Sequence, residues 1–180
     1  MNKIQLIRIT DTCADTWDKA MEIYDVSFPP EEKRPYQQHV KLMQENDAYH
    51  FYAAMDGQIL IGIVIMWKMQ GFIYLDYLAT LPGSRNKGYG KMIVEQLKQG
   101  CNESIIIEVE LPEDDLSNRR IGFYTRLGFH LLDFPYYMPK YDNPKEKFPM
   151  LLMSFPDIID GATCRHVMSE IHTKAYNSDL

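Results

Sequence analysis

The sequence predicts a mixed α/β fold, a sheet carrying helices on its faces. Two observations carry this expectation. Apolar runs at 49–55 and 59–69 are joined by Asp56-Gly57, a two-residue hairpin signal. The stretch 72–111 then reads strand, helix, strand. Its second strand holds Ile105-Ile106-Ile107, a continuous apolar run expected where both faces of a sheet are covered. Hairpins mixed with strand–helix–strand units imply a sheet with mixed connections.

Each element has a local reason. Residues 4–9 alternate and read as a first strand. Asp11, Thr12 and Asp15 offer N-caps to a helix running to about Val26. It stops before Phe28-Pro29-Pro30, because a residue preceding proline resists the helical region. Pro35 suits the first position of a second helix reaching about Glu45. After the hairpin and the turn at Gln70-Gly71, residues 72–80 form a strand that Pro82 and Gly83 stop. A helix follows from near Gly88 to about Gln99, with Met92, Ile93, Gln96 and Leu97 at helical spacing and Gly100 as its stop. Residues 104–111 are a strand, 112–115 an acidic loop, and Ser117 to Leu127 a helix ended by Gly128. Two late strands, 129–134 and 148–155, flank an aromatic, proline-rich loop at 135–149. The tail after Pro156 reads as a final helix reaching about Tyr176.

Composition narrows the function. A chain of 180 residues suits one domain with a full core. With 19 basic and 25 acidic residues the formal charge is -6, against general nucleic-acid binding and ordinary for solubility. Cys13, Cys101 and Cys164 are odd in number and widely spaced, which argues against a zinc site or disulfide framework and fits a reducing, cytoplasmic setting. The first residues carry no apolar signal core, and no apolar run approaches membrane-spanning length. His166 and His172 in the tail form no metal-binding spacing.

The most informative segment is Leu78-Ala79-Thr80-Leu81-Pro82-Gly83-Ser84-Arg85-Asn86-Lys87-Gly88-Tyr89-Gly90-Lys91. It sets a strand end, a basic glycine-containing turn and a helix start in succession. Amides at a helix N-terminus are unpaired and, with the helix dipole, attract anions. Gly88 and Gly90 allow a diphosphate to approach the backbone, and Arg85, Lys87 and Lys91 add charge. The spacing is not that of a P-loop, and the third glycine of a dinucleotide fingerprint is missing.

This segment resembles the RxxGxG signature of the GNAT acetyltransferase superfamily, matched by Arg85, Gly88 and Gly90, with Leu78-Ala79-Thr80 and Pro82 in the preceding strand and turn. A second hallmark lies downstream, where Phe123-Tyr124 sits on a helix leading into Leu127-Gly128-Phe129. The resemblance covers residues 51–155. It implies a mostly antiparallel central sheet of six to seven strands with helices on both faces, over a domain at 1–156, with 157–180 as a helical extension of it.

The resemblance also implies direct transfer of an acetyl group from acetyl-CoA to a primary amine, without an acyl-enzyme and without a metal. Residues 78–80, 85–91 (Asn86 and Tyr89 among them) and Asn118 would hold the coenzyme, and backbone N–H groups near Leu78 to Thr80 would stabilise an oxyanion. Tyr124 would be the general acid for the leaving thiolate. Glu108 is the first choice of general base, with Glu110 on the same strand face and Asp76 as a rival. One departure stands out: Ser117 occupies the position where many members carry asparagine, and Asn118 lies one residue later, either as a substitute or as a helix cap. The acceptor amine, small molecule or peptide, would enter near Phe28-Pro29-Pro30-Glu31-Glu32 and Pro135-Tyr136-Tyr137-Met138-Pro139-Lys140-Tyr141, whose acids and aromatics suit a cation. A homodimer through the late strands is compatible with the sequence. The alternatives are a catalytically silent acyl-CoA-binding module of the same fold and a docking protein using the aromatic loop.

Overall fold

A computed structural model describes residues 4–141, 143, 145–156 and 160–178. It contains two compact units, one of residues 1–68 with 75–102 and the other of residues 69–74 with 103–180.

In the first unit, β1 (Gln5–Arg8), β2 (Tyr49–Asp56) and β3 (Ile59–Lys68) form an antiparallel meander, and Leu75–Thr80 of β4 (Phe72–Thr80) lies beside β3. The hairpin turn is Gly57-Gln58, one residue later than the sequence suggests, with Asp56 paired to Ile59. Ile61, Ile63, Val64 and Ile65 are fully or almost fully buried, so β3 is covered on both faces. Helix α1 (Asp15–Ser27) packs on β3 and buries Trp17, Ala20, Met21, Ile23 and Tyr24. Its N-cap is Ala14, because Asp11 spends its carboxylate on the Cys13 N–H at 2.8 Å. A 3-10 turn at Pro30–Glu32 precedes α2 (Tyr36–Glu45), and Pro35 caps α2 rather than opening it. Helix α3 (Tyr89–Gly100) buries Ile93 and Leu97 of the expected stripe, together with Val94, while Met92 and Gln96 are half-buried.

The second unit is organised around β8 (Lys147–Phe155). Strand β5 (Ser104–Glu110) pairs antiparallel with it, with Glu108 opposite Leu152 and Glu110 opposite Met150. The short β6 (His130–Leu131) and β7 (Tyr136–Pro139) pair antiparallel with β8 in succession. Strand β7 lies in the segment expected to be a loop. Its alternation was present, since Tyr136 and Met138 are buried and Tyr137 is exposed, but the prolines at both ends hid it. Ile105, Ile106 and Ile107 are all buried, as their continuous run predicts.

Helix α4 (Asp115–Arg126) starts two residues earlier than expected because Asp114 caps it. The Asp114 carboxylate accepts the Ser117 N–H at 2.7 Å, and Ser117 Oγ accepts the Asp114 N–H at 3.2 Å. In the tail, α5 (Gly161–Glu170) is capped by Asp160 and continues into a wide π turn at Ile171–Ala175. Residues 157–159, where the extension was expected to begin, lie outside the described residues, as do 142 and 144 of the aromatic segment. Among the described residues no helix is long and apolar enough to cross a membrane.

The first unit buries one histidine completely. His39 is 0% exposed, with its ring edge-on to Tyr24 at 4.7 Å and its Nδ1 hydrogen-bonded to the Tyr49 hydroxyl. Desolvation, helped by the Arg34 cation, lowers its pKa to about 3. The unfolded chain protonates this imidazole near 6.5 and the folded chain only near 3, so the unfolded state binds the extra proton between those values. Neutral His39 therefore contributes stability that is complete above pH 6.5 and is lost on acidification. The slope it adds is at most ~1.4 kcal/mol per pH unit. His172 is shifted in the same direction. Denaturant unfolding should give a lower stability at pH 5 than at pH 7, and His39→Gln should narrow that difference.

Candidate active site

The phosphate loop belongs to the first unit, and an irregularity in β3 sets its position. The β2–β3 register passes from Ala54 opposite Gly62 to Met55 opposite Leu60, which leaves Ile61 as the extra residue of a bulge. The Ile61 carbonyl accepts the N–H of Leu81, the first residue beyond β4, at 2.8 Å. At Gly62, a Cβ would lie 2.5 Å from the Ala79 carbonyl oxygen and 3.3 Å from Thr80 Cα. The end of β4, carrying Leu78, Ala79 and Thr80, is thus drawn against a backbone that has no side chain there.

After β4 the chain turns through a 3-10 segment at Pro82–Ser84, closed by the Ser84 N–H on Leu81 O at 2.7 Å. Asn86 (φ 60°) and Gly88 (φ 81°) are both left-handed, one tolerant of that region and the other free in it. No side chain caps α3, and the Met92 N–H donates to Gly88 O at 3.1 Å. The amides of Tyr89, Gly90 and Lys91 precede that bond and have no acceptor within the helix. Arg85, Lys87 and Lys91 are exposed around them. The Tyr89 hydroxyl donates to Asp56 Oδ2 at 2.8 Å, which ties the helix start to the β2–β3 hairpin and raises the phenol's pKa. Unpaired amides with a basic rim fit a diphosphate.

Asp76 is in the same unit, in a closed setting. Its carboxylate is ion-paired with Arg34 at 3.0 Å, with both side chains 2% exposed, and it accepts the indole N–H of Trp67 at 2.9 Å. The Arg34 guanidinium also stands 5.3 Å over the Trp67 ring. The Arg34 N–H donates to the hydroxyls of Tyr24 (2.7 Å) and Tyr77 (3.2 Å), and the Tyr77 hydroxyl donates to Glu32 O at 2.6 Å. Phe28 packs on Tyr24 and Tyr77. The Phe28–Glu32 segment, read as an acceptor entrance, is thus fastened to the strand that carries Asp76.

The second unit places Glu108, Glu110, Tyr124 and Asn118. Glu108 accepts one hydrogen bond from the Tyr136 hydroxyl and another, at 2.7 Å on Oε2, from the Tyr176 hydroxyl. Glu110 is ion-paired with Arg120 through Oε1, while its buried Oε2 has no partner among the described residues. Tyr124 is 8% exposed and packs edge-on against Phe123 and Phe129. Burial pushes its pKa up to about 12; Arg120 opposes that shift and Glu110 adds to it. Asn118 is exposed, and its amide donates to Asp114 O at 2.7 Å and to Pro112 O at 3.3 Å, at the start of α4. Among the described residues no group of three or more His, Cys, Asp and Glu side chains is placed to hold a metal.

Sequence reading did not find Arg34, Trp67, Tyr136 or Tyr176 as neighbours of the acids. Tyr136 was visible as part of an aromatic segment, and Tyr176 had no signal beyond standing in a helical tail. The crowding at Gly62 gives a direct check. Gly62→Ala should lower the thermal midpoint, at a cost of about 1–3 kcal/mol, and weaken coenzyme A binding. Gly83→Ala, where a Cβ meets nothing within 4 Å, should change neither in calorimetry.

Known proteins resemble this chain in sequence and fold. The sequence profile described as "Acetyltransferase (GNAT) family" matches residues 17–129. A curated Bacillus subtilis (strain 168) protein, "Putative acetyltransferase YjbC", is 32% identical over 105 residues, 57% of this chain and 52% of its own length. The match thus spans about half of that relative. The structure of a "Putative acetyltransferase from GNAT family" from Bacteroides thetaiotaomicron superposes with a TM-score of 0.92 at 30% identity, covering 97% of this chain and 99% of that one. Naa50 of Arabidopsis thaliana, solved in complex with the bisubstrate analogue CoA-Ac-MVNAL, shares the fold with a TM-score of 0.60 at 16% identity, covering 86% and 99%. The fold is therefore the mixed α/β one with a mostly antiparallel central sheet that the sequence led us to expect. From the loop, the fold and the profile together it follows that this chain belongs to the acetyltransferase (GNAT) family.

Proposed function

We propose that the protein transfers the acetyl group of acetyl-CoA directly to a primary amine, on a small molecule or a peptide. The observation that carries this reading is the start of α3, whose first-turn amides have no helical acceptor and stand among exposed Arg85, Lys87 and Lys91. Those groups would hold the coenzyme's diphosphate. The β4 end at Leu78, Ala79 and Thr80 would offer backbone hydrogen bonds to the arm and to the reacting carbonyl. We assign Asn118 to the same coenzyme contact, after release of its bonds at the helix start. Acetyl-CoA supplies an activated acyl carbon and a thiolate leaving group.

An amine attacks only in its neutral form, so a base must take a proton from it. We assign that role to Glu108. Asp76 is closed off in a buried ion pair with Arg34, and Glu110 commits its Oε1 to Arg120. The donors on Glu108 at Tyr136 and Tyr176 are neutral phenols. Asp76 then braces its strand, and Glu110 orients Arg120.

Tyr124, with a pKa near 12, remains a phenol throughout the physiological range. It outlasts an ordinary thiol, whose reference value is about 8.5. Tyr124 therefore holds the departing thiolate by hydrogen bond and passes a proton as a replacement reaches it. The bond made is C–N and the bond broken is C–S; the amine proton goes to Glu108 and the thiolate gains one through Tyr124.

The relative solved with a coenzyme–peptide analogue places a peptide among the acceptors to be tried. Thiol release from acetyl-CoA, measured over a panel of small amines and peptide N-termini, should find an acceptor. Tyr124→Phe should then keep the coenzyme affinity and lose about 10²-fold in kcat. Tight coenzyme binding with no turnover on any amine would instead favour a silent acyl-CoA-binding module.

A further inference from the structure

We propose that Tyr176, on the C-terminal segment, is a positioning residue for the reaction: with Tyr136 it fixes the Glu108 carboxylate and holds it ionised. The inference rests on the reading of Glu108 as the base.

Two phenols converge on one carboxylate. The Tyr136 hydroxyl donates to Oε1 of Glu108, and the Tyr176 hydroxyl donates to Oε2 at 2.7 Å. A phenol has one proton. With that of Tyr176 committed to Glu108, the contact at 3.1 Å between the Tyr74 and Tyr176 hydroxyls runs with Tyr74 as donor. The order is Tyr74 to Tyr176 to Glu108, met from the other side by Tyr136. Hydrogen bonds to the ionised form favour it, and donors at both oxygens remove the rotational freedom of the head group.

The tail is built to deliver this phenol. Helix α5 buries Cys164 and Val167, and the π turn then buries Ile171, His172 and Ala175 ahead of Tyr176. A π turn shifts the register of the residues after it, and such turns recur at functional sites. His172 fastens the arrangement: its Nε2 donates to the Tyr137 carbonyl at 2.9 Å, and its ring lies 5.5 Å from Tyr136 and 6.4 Å from Tyr176. One imidazole thus touches both phenol carriers. Tyr141 closes the other side, its ring 5.1 Å from that of Tyr176. Tyr176 stays a donor at every working pH, because burial and the Glu108 charge raise its pKa well above 10.

Other groups face Glu108 too. Along β5 they are Glu110 with Arg120, and across the ladder stands apolar Leu152. His172, its pKa lowered chiefly by burial and also by the Lys147 cation, stands beside the two phenols. Loss of one phenol leaves those neighbours in place, so the effect on Glu108 can be isolated.

The test uses the full chain with 13C-labelled glutamate carboxyl groups, Glu108 being identified by the resonance missing in Glu108→Gln. In Tyr176→Phe, and separately in Tyr136→Phe, the Glu108 titration midpoint should move to higher pH by about one unit. The acid limb of kcat/KM, with acetyl-CoA and the amine giving the fastest thiol release, should move with it. Coenzyme A affinity should stay at the wild-type value, and Tyr52→Phe, which removes a phenol hydrogen-bonded to His50 on β2, should shift nothing. Unchanged midpoints and limbs in both phenylalanine variants, with Glu108→Gln inactive, overturn the positioning role and leave Glu108 as the base. A fully active Glu108→Gln overturns the base assignment and this inference with it.

Discussion

The structure turns on a set of backbone amides that their own helix cannot satisfy. Every α-helix begins with N–H groups that lack acceptors, and most chains cap them with a side chain. Helix α4 is capped in that way by Asp114 and Ser117, and α5 by Asp160. Helices α1, α2 and α3 carry no side-chain cap, and α3 is the one of these that follows two left-handed residues, Asn86 and Gly88, amid a basic rim. The bulge at Ile61 and the missing side chain at Gly62 hold the end of β4 where this turn begins. An uncapped helix start, a basic rim and a fixed strand end together describe a place for a diphosphate.

The three acids differ by what neutralises them. Asp76 faces Arg34 in a fully buried pair, a costly arrangement that only good geometry and added hydrogen bonds repay. The Trp67 indole N–H and the stacking of the guanidinium on the Trp67 ring supply them, while the Tyr24 and Tyr77 hydroxyls accept the backbone N–H of Arg34. Glu110 is half-exposed and paired with Arg120. Glu108 rests on phenols. Three carboxylates that look alike in a sequence thereby become a brace, an orienting group and a candidate base. Environment rather than residue type separates them.

Much of this was legible in the chain. The hairpin at 49–69, the buried run Ile105-Ile106-Ile107 and the strand–turn–helix around Gly88 are local patterns, and local patterns determine them. Strand β7 escaped because prolines at both ends of the aromatic segment read as a loop, while its pairing partners on β8 begin at Lys147, beyond that loop. The start of α4 was misread by two residues because Asp114 and Ser117 share the capping, and sequence alone does not say which comes first. The partners of the acids were the least visible. Arg34 meets Asp76 across 42 residues and Tyr176 meets Glu108 across 68, distances over which no periodicity carries information.

Amide hydrogen exchange followed by NMR reads the amides of Tyr89, Gly90 and Lys91 one at a time. Saturating coenzyme A should slow exchange at these three positions far more than along the rest of α3. Tight coenzyme binding that leaves them exchanging as in the free protein would place the diphosphate elsewhere than at the start of α3.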